Sequence, residues 1–367
     1  MKVFFAGGGT GGHFYPALAI ARAMVSADSR VEPFFIGAQR GIEREALPAT
    51  EFPFALLDLH PLYRSDPWNN WRTIVGGIRA WRTIGQLVRT QSPVALVATG
   101  GYAAGLALAY ARRSKISIVI QEQNSFPGMT VRWFAPHAKQ LHLGFPEATM
   151  SLKLGPSTQV YDTGNPIEPP PESRPSRSAA LQQWGFHDTT RPVILIAGGS
   201  QGARAINEAV ASWVRDRGPQ TAGVRVIWST GRAAYSQYAA LESGEVRVRP
   251  FIAPMSEAYA AADLAVCRAG AMTTAELTAW GVPSLLIPLP TAAADHQTAN
   301  ARALVMSGAA MMLAQSELTP TTLSEAIRNL SGAGDHLSTM RAAALQRARP
   351  NAAQDIARHI LSMKEFK

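Results

Sequence analysis

Two α/β domains, each a parallel sheet covered by helices, are predicted by three features of this chain. First, a strand, a glycine loop and a helix follow one another at the start of each half. Lys2–Ala6 runs into Gly7-Gly8-Gly9-Thr10-Gly11-Gly12-His13 and the helical pattern Ala17–Val25. Val193–Ala197 runs into Gly198-Gly199-Ser200-Gln201-Gly202-Ala203 and the helix Arg204–Asp216. Second, residues 164–175 hold five prolines in twelve positions, too many for the interior of an element, and read as a linker. Third, 367 residues suit two domains of about 150–200 residues each. The expected boundaries are 1–166, joined by a C-terminal helix over about 347–367, and 167–346.

The remaining elements continue the same rhythm. In the first half Glu32–Ile36, Val94–Ala98, Ile116–Gln121 and Gln140–Leu143 read as strands, and Ala103–Arg112 as a helix. Short apolar strands alternating with helices imply a parallel sheet buried on both faces. In the second half Val224–Ser229, Val246–Pro250, Leu264–Arg268 and Ser284–Pro288 supply strands. The tail Leu337–Lys367 reads as helical, broken at Pro350, and is expected to pack back on the first domain.

Composition narrows the function. Hydrophobic residues at 47% and charged residues at 17% describe a globular protein with an ample core. A net charge of +9, from 35 Lys+Arg against 26 Asp+Glu, favours an anionic partner without choosing one. Nucleic acid is disfavoured, because the chain has no basic run, zinc spacing or aromatic pattern of an RNA-binding sheet. Cys267 lies in an apolar strand pattern and reads as an inert buried thiol in a reducing compartment. No window approaches twenty uninterrupted apolar residues. His60, His137, His142, His187, His336 and His359 show no metal-ligand spacing and read as surface or satisfied core residues.

A strand, a glycine loop and a helix start bring backbone N–H groups to one point, which suits a phosphate or a developing anion. Gly7, Gly9 and Gly12 match G-x-G-x-x-G, so a dinucleotide-dependent oxidoreductase is the alternative reading. That reading needs an acidic residue at the end of the second strand to hold a ribose. Phe34-Phe35-Ile36-Gly37-Ala38-Gln39-Arg40 ends without one, which counts against it. The second loop suits a diphosphate, and taken alone suits equally a tight strand-to-helix turn that needs glycine for close packing. Cys267-Arg268-Ala269-Gly270-Ala271 is again a strand and a small-residue turn before a helix, and Glu276 falls one to two turns inside that helix, where a carboxylate can take both hydroxyls of a ribose, a solvated helix-face glutamate being the other reading. The chain has no Asp-x-Asp pair. A sugar-nucleotide enzyme so built neutralises its leaving diphosphate with N–H groups, helix dipoles and arginine, without a metal.

Seven motifs then stand together in one order: residues 8–13, Gly100-Gly101-Tyr102, Glu122-Gln123-Asn124, Gly164-Asn165-Pro166, residues 198–203, residues 267–271 and Asp295-His296-Gln297-Thr298-Ala299-Asn300. In content and spacing, over nearly the whole chain, this set resembles the MurG family of peptidoglycan glycosyltransferases. The resemblance implies a GT-B fold, two Rossmann-like parallel-sheet domains facing across a cleft. It implies UDP-GlcNAc as donor, held mainly by the C-terminal domain. The implied acceptor is undecaprenyl-diphosphate-linked MurNAc-pentapeptide (lipid I), held by the N-terminal domain, and no cofactor is implied. Carried over by position, Thr10, Gly11 and Gly12 resemble the loop near the diphosphates, and Asn124 the asparagine that meets the sugars. Ser200, with Gln201, resembles the donor-phosphate contact, and Ile252 the residue whose backbone reads uracil. Ala271, Met272, Thr273, Thr274, Ala275 and Glu276 resemble the donor helix start. His296 and Gln297 fall where the family addresses the GlcNAc hydroxyls. Glu168 departs from the pattern, standing where the family commonly has an arginine, and Arg204 or Arg268 is expected to compensate.

An α-linked donor and a β-1,4-linked product imply inversion, hence a base on the acceptor hydroxyl. His13 is the candidate, with hydrogen bonding to diphosphate or acceptor as the other role open to it. Trp71, Ile74, Ile78 and Trp81 share one helical face beside Arg79 and Arg82. Such a face suits the headgroup layer of an anionic membrane, and equally an amphipathic helix packed on a sheet. A polyprenyl acceptor favours the membrane, with the protein peripheral on the cytoplasmic face of the cell membrane.

Overall fold

The computed structural model describes residues 1–59, 70–188, 190–199, 202–332 and 335–367, with side chains from residue 75 onward in the helix Asn70–Gln91. The chain divides into two compact units, Met1–Glu168 with Asn351–Lys367, and Pro169–Pro350.

The first unit is built on β1 (Lys2–Gly7), β2 (Glu32–Ala38), β3 (Phe54–Leu57), β4 (Ala95–Gly100), β5 (Ser117–Glu122), β6 (Gln140–Leu143) and β7 (Gln159–Asp162). All pairings are parallel, in the order β3-β2-β1-β4-β5-β6-β7. Because side chains alternate along a strand, β1 sends Phe4 and Ala6 to one face and Val3 and Phe5 to the other. Phe4 joins Ile36, Leu96 and Ile120 beneath the helices Tyr102–Arg113 and Asn70–Gln91. Val3 and Phe5 join Phe35, Val97 and Val119 against the helix Gly11–Ala27.

The last helix, Ala352–Leu361, completes that second face. Its Ile356, Ala357 and Ile360 lie in one core with Phe14, Ala17, Ile20 and Met24. The end of the chain is therefore core of the first unit. Its His359 stacks on Tyr161 with ring centroids 4.0 Å apart, and Tyr161 stacks on His142 at 5.1 Å. His142 departs from the expectation of a satisfied core histidine. Its Nε2 meets Gln140 Oε1 at 3.2 Å, but its Nδ1 is buried with no hydrogen-bond partner among the described residues. Burial pushes its pKa down to about 3, so the ring is neutral.

The proline-rich stretch is only partly a linker. Thr163–Ile167 are buried in the first unit, and the division falls after Glu168. Asn165 explains why: its side chain accepts from Gln121 Nε2 at 3.0 Å and donates to Gln123 O at 3.0 Å.

The second unit contains β8 (Val193–Ala197), β9 (Arg225–Ser229), β10 (Val246–Arg249), β11 (Leu264–Cys267), β12 (Ser284–Leu286) and β13 (Ala310–Met312). They form a parallel sheet in the order β10-β9-β8-β11-β12-β13. Ile194, Val226, Trp228 and Val266 pack with Ile206, Val210 and Trp213 of the helix Arg204–Arg215. Among the described residues no helix is long and apolar enough to cross a membrane.

Candidate active site

Each sheet reverses its strand order at one place. In the first unit the chain runs outward from β1 through β2 to β3, then returns to place β4 on the other side of β1. In the second, β8 plays the part of β1 and β11 that of β4. Loops at the carboxyl ends of such neighbouring strands diverge, and ligands of open α/β sheets bind in the crevice they leave. The motifs at Gly8–His13, Gly100–Tyr102, Gly198–Ala203 and Arg268–Gly270 all fall at these points.

In the first unit His13 lies on the first turn of the helix Gly11–Ala27, half-buried. Its Nδ1 is hydrogen-bonded to Thr10 Oγ1 at 3.0 Å, and its backbone oxygen accepts from Thr99 Oγ1 at 2.7 Å. Thr99 in turn accepts at its carbonyl from Gln123 Nε2 at 2.8 Å. Residues from the ends of β4 and β5 thus fix the His13 backbone from below, while Thr10, just past β1, meets its imidazole at the surface. Thr10 occupies the N-cap but makes no capping bond with its side chain. The N–H groups of Gly11 and Gly12 accordingly find no acceptor among the described residues, as expected of an uncapped helix start. Asn124 is held from behind by Glu122, whose Oε1 accepts from Asn124 N at 2.8 Å and whose Oε2 accepts from Gly128 N at 2.9 Å. Burial pushes the Glu122 carboxyl up against the downward pull of these N–H groups.

One contact overturns part of the sequence argument. The Gly9 N–H, expected to face a ligand, donates to Glu43, at 3.0 Å to Oε1 and 2.9 Å to Oε2. Glu43 follows β2 by five residues, so a carboxylate does reach the loop from the second strand's end. It is buried and engaged on the backbone, not presented to a ribose.

The second unit holds a cavity of about 720 Å3, within the range of small-ligand sites. Its walls are the glycine loop, the start of the helix Arg204–Arg215, Ser229, Ile252 and Tyr259, with Arg268, Thr273, Glu276, Leu289 and Gln297. At Gly202 a side chain is impossible: φ is +78°, and a Cβ would lie 2.3 Å from Thr230 O. Tyr259 donates its hydroxyl to Glu276 Oε2 at 2.6 Å, fixing that carboxylate at the wall. Arg268 reaches Ile287 O at 3.0 Å, Pro288 O at 3.1 Å and Gln315 Oε1 at 2.6 Å, leaving its charge at the cavity. Arg204 stands exposed at the rim, paired with Glu208 Oε1 at 2.7 Å. Gln297 accepts from Leu289 N at 3.0 Å, which holds its carboxamide in place and leaves the NH2 as donor.

The predicted residues are only partly brought together. Ile252, Thr273, Glu276 and Gln297 line the cavity, whereas Ala271, Met272, Thr274, Ala275 and His296 do not. Helical rotation separates them. Thr273 and Glu276 share a face, while Thr274 is buried and turns its hydroxyl back to Gly270 O and Ala271 O. His296 Nδ1 lies 2.6 Å from Ala293 O, where it acts as donor. Glu168 is exposed at the end of the first unit and lines neither cavity described here. Ser200 and Gln201 lie outside the described residues. Sequence reasoning missed Glu43 and Tyr259, and neither belongs to a motif. It also missed Gln123 and Asn165 as an interlocked pair, although both stood in quoted motifs.

A second cavity, of about 710 Å3, lies between the helices Gly11–Ala27 and Ala352–Leu361 of the first unit. Its two arginines are each ion-paired, Arg22 with Glu51 and Arg358 with Asp355. On the helix Asn70–Gln91, Ile78, Arg79 and Arg82 are exposed. Trp81 is half-buried, edge-on to Tyr110 with centroids 4.8 Å apart, because it borders the buried stripe of Ala80 and Ile84. The expected apolar face is therefore split at Trp81. The side chains of Trp71 and Ile74 lie outside the described residues.

Comparison with known proteins agrees with this geometry. Residues 3–143 match the glycosyltransferase family 28 N-terminal domain, and residues 193–357 its C-terminal domain. A protein of Chlorobaculum parvum is 38% identical over 371 residues, covering 100% of both chains. One of Syntrophotalea carbinolica is 40% identical over 349 residues, covering 94% of each. Both are named UDP-N-acetylglucosamine–N-acetylmuramyl-(pentapeptide) pyrophosphoryl-undecaprenol N-acetylglucosamine transferase. The crystal structure of Acinetobacter baumannii MurG superposes with a TM-score of 0.79 at 29% identity, over 99% of each chain. Transferases rather than oxidoreductases are what this chain is similar to, and it belongs to glycosyltransferase family 28, among its MurG members.

Proposed function

We propose that the protein transfers N-acetylglucosamine from UDP-GlcNAc to the C4 hydroxyl of undecaprenyl-diphosphate-MurNAc-pentapeptide, converting lipid I to lipid II with inversion at the anomeric carbon. The observation that carries this reading is full-length similarity to transferases of that name, joined to a cavity with the right chemistry. The second unit is the donor domain. Its glycine loop and the start of the helix Arg204–Arg215 meet the diphosphate, where the helix dipole and Arg268 offset the charge of departing UDP. This neutralisation uses no metal, in keeping with a chain that lacks an Asp-x-Asp pair. Ile252 offers backbone groups to the uracil, Glu276 takes the ribose hydroxyls, and Gln297 faces the sugar.

The first unit is the acceptor domain. Gly11 and Gly12 N–H groups suit the acceptor diphosphate, and Asn124 the acceptor sugar. His13 is the base. In the tautomer whose Nδ1–H donates to Thr10 Oγ1 across the 3.0 Å contact, the basic lone pair is on Nε2, and it is this tautomer that takes the proton of the attacking hydroxyl. The exposed Ile78, Arg79 and Arg82 support approach to an anionic membrane surface, on the cytoplasmic face where a nucleotide-sugar donor is found.

Three outcomes follow. Replacing His13 by Ala lowers kcat by about 10²-fold or more with little change in the KM of the donor. A loss below about tenfold removes the base role. Glu276→Gln raises the donor KM by about tenfold or more and erases discrimination against a 2′-deoxyribose donor. Tyr259→Phe does the same more weakly, and an unchanged donor KM in both contradicts the ribose assignment. Changing Ile78 to Asp together with Arg82 to Glu lowers cosedimentation with anionic lipid vesicles by about fivefold or more. Equal binding by the variant rules out this helix as the membrane contact.

A further inference from the structure

Glu43 is the least expected residue of the first glycine loop. It comes from another crossover, 34 residues away, and is 1% exposed. Both its oxygens accept from Gly9 N, and Oε1 accepts also from Ala38 N at 3.3 Å. Its surroundings are cut to fit. A Cβ on Gly8 would fall 1.7 Å from Oε1, and one on Gly41 would fall 1.9 Å from Oε2. Backbone thus closes around the carboxylate on both sides. A loop of this type offers N–H groups to an anion. Here the chain supplies the anion itself.

We infer that Glu43 is a built-in anion of this loop: it positions Thr10 and His13 through Gly9, and it bars free phosphates from the Gly9 N–H. The inference rests on the reading of this loop as the acceptor's. Two consequences separate it from a mere packing role. With Gly9 tied down, the chain enters the helix at a fixed angle, and the 3.0 Å contact between Thr10 Oγ1 and His13 Nδ1 is set. With a carboxylate already on Gly9, a small anion meets both a filled space and a like charge, which costs affinity. The N–H groups of Gly11 and Gly12, which find no acceptor among the described residues, remain. They suit a diphosphate carried by a large acceptor, whose sugar and lipid supply binding of their own.

The test uses the full chain with Glu43→Gln and Glu43→Ala, with kcat, donor KM, and inhibition by inorganic pyrophosphate against the acceptor as readouts. Circular dichroism and UDP affinity, which belongs to the second unit, report folding. The expected result is a fall in kcat of about tenfold or more in both variants with donor KM within about twofold. In Glu43→Ala, pyrophosphate becomes a competitor of the acceptor at about fivefold lower concentration or less. Retained kcat with unchanged pyrophosphate inhibition overturns the inference. So does loss of the folded signal in both variants, which makes Glu43 a folding residue. His13→Ala run alongside keeps the two readings apart. If that substitution leaves kcat unchanged, the acceptor-loop reading itself fails; if it lowers kcat while Glu43→Gln does not, only the role of Glu43 fails.

Discussion

Reversal of strand order is the constraint on which the rest of each unit depends. Parallel strands need crossovers, and crossovers covering both faces of a sheet must leave in opposite directions from one central pair. In the first unit that pair is β1 and β4, in the second β8 and β11. The crevice at their carboxyl ends follows from topology, not from any one residue. Side chains then decide what each crevice does. The second unit keeps its crevice open as a cavity lined by Arg268 and Glu276. The first fills the β2 side of its own with Glu43 and leaves the helix start exposed.

Precision at both places is achieved by buried polar groups reaching across elements. Gln121, Gln123 and Asn165 interlock beneath the first loop, and Thr99 passes that order on to His13. In the second unit Asn207 donates to Thr230 O at 2.7 Å and accepts from Trp228 Nε1 at 3.0 Å, which ties the helix after the glycine loop to β9. Asn300 donates to Ala269 O at 3.1 Å and anchors the Gln297 helix beside β11. Such groups are costly to bury unless paired, and once paired they admit few alternative geometries. The carboxamides of the sequence motifs therefore shape the loops that carry the chemistry.

Much of the fold was legible because short apolar strands followed by glycine loops and helix starts have few other solutions. What escaped were β3, β7 and β13, each of three or four residues. β7 is an edge strand whose Gln159, Val160 and Asp162 are exposed, and Ala310-Met311-Met312 carries no β-branched residue, so neither shows the usual pattern. The linker was placed too early because proline content outweighed Asn165, whose partners lie 42 and 44 residues upstream. At the site, residues within motifs were found and residues acting across the fold were not. The missing carboxylate after β2 was sought within the strand, whereas Glu43 reaches Gly9 from the turn of helix beyond it. Six consecutive residues at 271–276 were taken together, though a helix presents only Thr273 and Glu276 to one cavity.

The central claim is sugar transfer to a lipid-linked acceptor by residues of the chain alone. It is tested most directly by incubating the purified protein with labelled UDP-GlcNAc and a lipid I analogue in the presence of EDTA. The account predicts one GlcNAc incorporated per UDP released, in a β-1,4-linked product. Absence of both transfer and UDP release, or an α-linked product, would contradict it.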